Sequence, residues 1–427
     1  MKNYKINIFH FICGIVLLLQ LLWLQTNTLF PNINDMLYQI IYYMKYFGTA
    51  ILVFFAILKK NKEKEIVEKE RKYVRIFIPL LILFIMIEII TLIQSPVPRE
   101  YGLSYWTRMI ANMLDKICIL IEIVCIFMIC GNDTIKCVSN TLIIDGLIIL
   151  IATIVRVGLI NTLNTFLAVF GIVESNKATG MLEVHELTYC TGLCIIYYLF
   201  FYNKKTKVDV VRIFLLIILF ILGGKRIGFA GIIISCIFAL IVNKKGLALI
   251  WLKSLGIIGS IICIVYVYLL YDGEVLTILN KYGINAMGRE KIYNYYMNRT
   301  EFSPSFLGWG IASVSKTIEN MSKEEVGNMV EVRGLHNDIL KIYIEFGFIG
   351  SLLWYAFNLI YLPIMIYKKF GKYQATAYFC VAIYAFITYL TDNTENYFVF
   401  QVIFLTIPLL NSKKMKEENG ITDQNKL

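Results

Sequence analysis

Charge is scarce in this chain. Only 17% of its 427 residues are Asp, Glu, Lys or Arg, against 58% hydrophobic, whereas soluble domains carry about 25% charged and about 45–50% apolar residues. A soluble chain of this length would divide into two or three domains, each with a charged surface that is missing here. A soluble multidomain enzyme is therefore excluded, as are a disordered chain and a single-span anchor. Histidine occurs three times. The ten cysteines include no CxxC pair and no metal-ligand spacing, and Cys13, Cys118, Cys125, Cys194, Cys236, Cys263 and Cys380 lie inside apolar runs. That excludes a disulfide scaffold and predicts small buried side chains. GxxxxGK[ST] and GxSxG are both absent, and no repeat recurs at a fixed period. After Met1–Ile8 the apolar run continues through Trp23 without an A-x-A site, which predicts a first span rather than a cleaved leader.

What is abundant is uncharged sequence, such as Ile213–Gly224 and Gly231–Val242. A spanning helix needs about 20 mostly apolar residues. Cutting at polar clusters predicts an all-α polytopic membrane protein of twelve spans: roughly 8–24, 37–58, 76–94, 109–130, 138–156, 185–202, 210–222, 227–242, 247–270, 338–367, 375–391 and 397–411. Net charge is +11. Nucleic-acid binding would place basic arms or faces on a folded hydrophilic domain, and none exists. Lys and Arg instead mark cytoplasmic loops. With both termini inside, the inner segments hold 23 Lys+Arg and the outer segments 12, of which 7 fall in 271–337. Long loops are translocated largely regardless of charge, so the short loops set this orientation. The resulting plan is 1–270, nine spans with short loops; 271–337, a large extracytoplasmic loop; 338–411, three spans; and 412–427, a cytoplasmic tail. Residues 157–184 add an expected interfacial helix.

Ionisable side chains inside a span are costly and mark a pairing or a function. Here they are Lys45, Glu88, Asp115, Lys116, Glu122, Asp145, Arg156, Lys341 and Glu345. For Glu88, Asp145 and the Asp115 group, structural pairing and a polar substrate cavity are both open. Lys341 and Glu345, four apart, are placed to pair with each other.

Three clusters stand out on the outer side. "GGKRIG" (Gly223–Gly228) joins spans seven and eight. Its glycines permit close backbone approach to a bulky anion, and Arg226 offers a bidentate fork for phosphate, although a Lys-Arg pair gripping lipid headgroups has the same composition. "MGREKIY" supplies Arg289 to the long loop. "FLGWGIASVS" (Phe306–Ser315) is followed by "RGLHNDILKIYIEFGFIG" (Arg333–Gly350), which puts His336 at the entry to span ten, with Asn337 and Asp338 as helix caps. An imidazole beside a helix N-terminus is biased towards its neutral form, which suits a general base.

With these residues in view, the chain resembles the bacterial O-antigen polymerase and ligase family. The resemblance rests on Lys225-Arg226-Ile227-Gly228 at the turn, Gly288-Arg289 opening the large loop, Gly308-Trp309-Gly310, then His336-Asn337 and Glu345-Phe346-Gly347-Phe348-Ile349-Gly350. Order, spacing and placement in the largest outer loop agree over about residues 220–360. Lys225 stands where the family usually has Ser and Ile227 where it has Thr. His185-Glu186 stands where it often has Pro-Asn, so no role is carried onto those two.

The resemblance implies an enzyme of the bacterial cytoplasmic membrane that polymerises repeat units of a surface polysaccharide, O-antigen or capsule. Its substrate would be an oligosaccharide on undecaprenyl diphosphate, and its partners membrane lipid together with the chain-length regulator and flippase of the same pathway. Arg226 and Arg289 would clamp the diphosphate, and His336 would deprotonate the attacking hydroxyl, with Asp338 or Glu345 as its partner. Lys225, Gly308, Gly310, Asn337, Asp338 and Glu345 would contact substrate, and Trp309, Tyr293, Tyr295 or Tyr296 would stack on sugars. No cofactor is expected. The first outer loop, 25–36, has one acid, Asp35, and the chain has no D-x-D pair, so Arg rather than a metal is expected to take up the leaving-group charge. A ligase passing finished glycan to lipid or protein is the near alternative. A twelve-span transporter or flippase is the alternative of another class; it predicts repeated halves, which the sequence does not show.

Overall fold

A computed structural model describes residues 7–29, 35–59, 64–169, 185–202, 205–281, 289–321 and 334–410. Among them there is helix and no strand. The helices are α1 (Ile8–Leu29), α2 (Asp35–Lys59), α3 (Lys64–Val74), α4 (Ile78–Gln94), α5 (Val97–Tyr101), α6 (Leu103–Cys130), α7 (Thr134–Val157), α8 (Leu159–Val169), α9 (His185–Phe200) and α10 (Lys207–Leu222). After these come α11 (Arg226–Val242), α12 (Leu249–Tyr271), α13 (Glu274–Lys281), α14 (Arg289–Met297) and α15 (Ser313–Asn320). The last four are α16 (Asp338–Ala356), α17 (Leu362–Phe370), α18 (Lys372–Tyr389) and α19 (Phe398–Thr406).

A helix occupies each of the twelve apolar segments. Among the described residues, four stretches combine the length and hydropathy needed to cross a membrane, namely Ile40–Lys59, Glu68–Gln94, Leu249–Tyr271 and Asp338–Phe370, and shorter apolar helices cover Ile8–Leu22, Glu186–Phe200, Arg226–Val242 and Phe398–Leu409. The chain is an integral membrane protein on this evidence. Its outward faces agree: Ile82, Ile85, Met86, Ile89, Leu92 and Ile93 on α4 and Ile233, Ile234, Ile237, Leu240 and Ile241 on α11 are exposed, a surface that water would not tolerate. α1 packs on α2 and α7, α2 on α6, α9 on α10, and α11 lies along α18. The segment expected to be interfacial contains α8, whose Leu159, Ile160 and Leu163 are exposed; its remainder lies outside the described residues.

The buried charges are paired. Lys45 meets Asp115 at 2.7 Å. Glu122 accepts from Gln20 at 2.5 Å and Thr49 at 2.7 Å, and Gln25 donates to Asp145 at 3.1 Å. Glu88 accepts from the Ile311 backbone at 2.8 Å and from Tyr105 at 3.3 Å. Of the two readings left open by the sequence, the geometry supports pairing: in lipid each such group must find an internal partner.

α16 is interrupted at Gly347 (φ 71°, ψ −176°), a conformation that only glycine enters readily. The break frees carbonyls, and the loop before α15 satisfies them. Trp309 N–H donates to Ile344 O at 2.9 Å, Gly310 N–H to Glu345 O at 2.8 Å, and Phe348 N–H returns to Phe306 O at 2.9 Å. Gly308 and Gly310 also have positive φ, 87° and 96°, and a Cβ at Gly308 or Gly347 would overlap the opposing backbone. What approaches these glycines is the chain itself. Gly347→Ala combines a forbidden backbone with that overlap and should destabilise by about 3 kcal/mol or more, read as a lowered Tm in detergent; an unchanged Tm would mean that α16 runs straight.

Candidate active site

Asn337, in extended backbone, caps α16, its side-chain oxygen accepting from Leu340 N–H at 2.9 Å while its amide donates to Tyr266 on α12 at 2.8 Å. The residue before it, His336, has φ 49°. A non-glycine residue in the left-handed region is uncommon and persists only where its surroundings fix it. Here Asn393 does so: its Oδ1 accepts from the His336 backbone N–H at 3.0 Å, and its amide lies 3.4 Å from His336 Nδ1. Asp392 Oδ1 lies 3.6 Å from the same Nδ1. Asp392 also accepts from Tyr189 at 2.7 Å, from Tyr397 at 3.0 Å and from the Asn393 N–H at 2.8 Å. Arg289, at the first residue of α14, donates through Nη1 to Thr391 O at 2.9 Å. A guanidinium has five donors, so most of this one is available for other partners.

Arg226 is exposed at the first turn of α11, and Lys225 precedes it as N-cap residue. The glycine turn presses on α9: a Cβ at Gly223 would overlap Thr188, and one at Gly228 would stand 3.5 Å from the Tyr189 ring. Tyr189 is the side chain that reaches Asp392. His336, Asp392 and Asn393 thus meet directly, Arg289 is tied to the same loop through the Thr391 carbonyl, and the Arg226 turn is one side chain removed.

Other expected site residues fall elsewhere. Asp338 does not face His336; it accepts from the Glu395 backbone N–H at 2.7 Å. Glu345 accepts from Val314 N–H at 3.3 Å, and Lys341 pairs not with Glu345 but with Glu395, at 3.2 Å. Asp392 therefore takes the place next to His336 that Asp338 or Glu345 was expected to hold. Gly308, Trp309 and Gly310 belong to the backbone clamp on α16. Tyr293 and Tyr296 are buried, Tyr296 donating to Val314 O at 3.0 Å. Tyr295 instead lines an open cleft of about 460 Å³ with Tyr101, Glu100, Arg299, Asn320 and the edge of Trp309, and Arg299 lies 3.7 Å over its ring. Glu186 accepts from Val399 N–H at 2.7 Å and Phe400 N–H at 3.3 Å, capping α19. The His185 side chain and Gly288 lie outside the described residues.

Sequence reasoning missed the loop Thr391–Asn396. Its signal is plain in retrospect: "TDNTEN", six polar residues between two apolar runs. Glu395 is buried between the ammonium groups of Lys116 and Lys341. Burial alone would raise its carboxyl, but the two cations hold it below the ordinary carboxylate range.

Residues 211–355 match the O-antigen ligase family. The match spans about a third of the chain and contains Arg226, Arg289, the Gly308–Gly310 clamp and His336; Asp392, Asn393 and Glu395 lie beyond it. No curated protein matches the chain. The O-antigen ligase match agrees with the resemblance drawn from the motifs. It supports a glycosyltransferase-like enzyme of surface-polysaccharide synthesis acting on a lipid-linked glycan.

Breaking a buried ion pair on one side costs about 3–5 kcal/mol, so Glu395→Gln should lower Tm at neutral pH. Because the folded carboxyl titrates below its ordinary value of 4.5, its contribution is complete above that pH and is lost as pH falls through the lowered value. The variant's stability should therefore fall less steeply in acid than the wild type's. Parallel acid profiles would remove Glu395 from this tie.

Proposed function

We propose that the chain polymerises oligosaccharide repeat units carried on undecaprenyl diphosphate at the outer face of the bacterial cytoplasmic membrane. Twelve helices cross, both termini are cytoplasmic, and residues 271–337 form the outer loop. The observation that carries this reading is the convergence of His336, Arg289 and Asp392 beside the Arg226 turn, three of these four residues falling inside the family match. The acceptor is a sugar hydroxyl on the next lipid-linked repeat, and the donor is the growing glycan. The hydroxyl oxygen attacks the anomeric carbon, the bond to the diphosphate oxygen breaks, and the hydroxyl proton passes to His336. With Nδ1 turned to the Asp392 carboxylate, Nε2 is the nitrogen that receives it, the division of labour seen wherever a carboxylate orients a catalytic imidazole. Arg289 and Arg226 take up the charge of the departing diphosphate. Lys225 adds a third cation at the same turn. The cleft beside Tyr295 and Arg299 is placed for the sugars behind the reacting end: α14 carries Arg289 at one end and Tyr295 six residues on, a rise of about 9 Å. A chain-length regulator and a flippase of the same pathway complete the proposal as its partners.

The nearest second reading is a ligase that hands finished glycan to lipid or protein, favoured by the description of the matching family. Proteoliposomes supplied only with lipid-linked repeats separate the two: a ladder of products means polymerase, and a single unextended product with transfer on adding an acceptor means ligase.

In a strain lacking this chain and complemented with variants, His336→Ala should reduce polymer by about 10²–10⁴-fold, the contribution of a general base, with single repeats left on the lipid carrier. Arg226→Ala should do likewise, while Arg226→Lys restores part of it. Full-length polymer from both alanine variants would sink the assignment. Asp392→Asn should lower kcat with little change in KM and shift the pH–rate profile, because Asp392 acts through the imidazole and not on substrate.

A further inference from the structure

Three thiols from separate helices meet at one end of the bundle. Cys13 lies on α1, Cys130 is the last residue of α6, and Cys137 stands in the first turn of α7. Their sulfur atoms all lie within 4.8 Å of one another, and all three are buried. Among the described residues no other trio of His, Cys, Asp or Glu approaches this closely with all members buried. The backbone holds them there. Gly131, with φ 55°, ends α6 and turns the chain directly into α7, so Cys130 and Cys137 share one corner. α1 packs close against α7 one residue along, where a Cβ at Gly14 would stand 3.2 Å from Thr141 Oγ1. The Cys137 thiol already reaches the chain at α1, 3.3 Å from the His10 carbonyl, and His10 precedes Cys13 by three residues, on the same helix face.

Two ordinary explanations fit poorly. Cysteine as a small apolar filler accounts for the scattered thiols but not for three sulfurs in mutual contact from helices more than a hundred residues apart. A disulfide would use two and strand the third. By the Lys and Arg count this corner is the cytoplasmic end of the bundle, where thiols stay reduced. Tetrahedral thiolates around zinc, with Zn–S about 2.3 Å, sit roughly 3.8 Å apart by simple geometry, within reach of small rotamer changes here.

We propose that Cys13, Cys130 and Cys137 supply three thiolates to a structural site for a soft divalent cation of the zinc type, and that the His10 imidazole, which stands outside the sulfur cluster in this structure, turns in as fourth ligand when the ion binds. Binding exchanges three thiol protons for the metal, leaving one net negative charge. Lys59, whose ammonium is bonded to the Ile129 carbonyl, stands beside it as counter-charge. The gain is specific to a membrane protein: between helices in lipid there is no hydrophobic drive to associate, and a metal–thiolate centre ties α1, α6 and α7 at one point.

The test uses the full chain purified in detergent under reducing conditions. Elemental analysis should find about one zinc per chain. After chelation, cobalt(II) should restore a thiolate-to-metal charge-transfer band and the tetrahedral visible bands. Cys13→Ser and Cys137→Ser should each weaken zinc binding at least a hundredfold, and His10→Ala at least tenfold, while Cys190→Ser, a buried cysteine outside the trio, leaves it unchanged. If the serine variants do not fold, wild-type protein still decides: maleimide modification of the three thiols, read by peptide mass spectrometry, should accelerate only after chelator. Protein without zinc that gives no cobalt band, binding that survives Cys13→Ser, or modification indifferent to chelator would each overturn the site. His10→Ala with unchanged affinity would strike His10 from it.

Discussion

The N-terminus of α16 is held by one short loop, and the rest of this end of the bundle is arranged around that hold. Thr391–Asn396 supplies a carbonyl to Arg289, two side chains to His336, a backbone N–H to Asp338, and a carboxylate to Lys116 and Lys341. These partners come from three parts of the chain: Lys116 from α6, Arg289 from α14, and His336, Asp338 and Lys341 from the start of α16. In water such contacts would be worth little individually. At the edge of a bilayer, with Glu395, Asp338 and Lys341 buried, none can be removed singly without leaving a group unpaired. The loop is thus the junction through which helices distant in sequence fix one another.

A second constraint lies within the same helix. α16 follows His336 at its start and packs on α12 and α4, and it does so as a helix interrupted at Gly347. The break leaves carbonyls with no helical donor. The segment Phe306–Gly310 exists to supply those donors, and its positive-φ glycines let two backbones approach with no side chain between them. The stacked rings of Phe302, Phe306 and Tyr343 (centroids 5.5–5.7 Å apart) seal the same junction.

The sequence carried its helices openly, because apolar runs of that length have few other uses. It also carried Arg226, Arg289 and His336, since arginine and histidine are conspicuous in a chain with so few charges and only three histidines. It did not carry their partners. Asp392 and Asn393 lie 56 and 57 positions beyond His336, and no local periodicity reports a contact across three intervening helices. Asp338 and Glu345 were the carboxylates nearest in sequence and were for that reason chosen over the one nearest in space. Gly308-Trp309-Gly310 was misread in the same way: glycine announces a close approach but not to what. The cysteine trio escaped because ligand spacing rules describe one loop or one helix, and this cluster draws on three.

The strain at His336 bears on how the site operates. A residue held at φ 49° costs of order 1–3 kcal/mol, and Asn393, bonded to the backbone N–H of His336 and close to its ring, offsets that cost before any substrate arrives. The imidazole does not swing in from solvent; its backbone is fixed by the cap of α16 on one side and by the polar loop on the other. Arg289 is tethered to the same loop, whereas Arg226 is exposed at a helix start that only leans on Tyr189. In the proposed reaction, a base and one cation held by the same loop would set the line of attack, and a cation of freer reach would follow the diphosphate as it departs. That division of a fixed and an exposed cation suits a transfer in which a bulky lipid carrier has to leave.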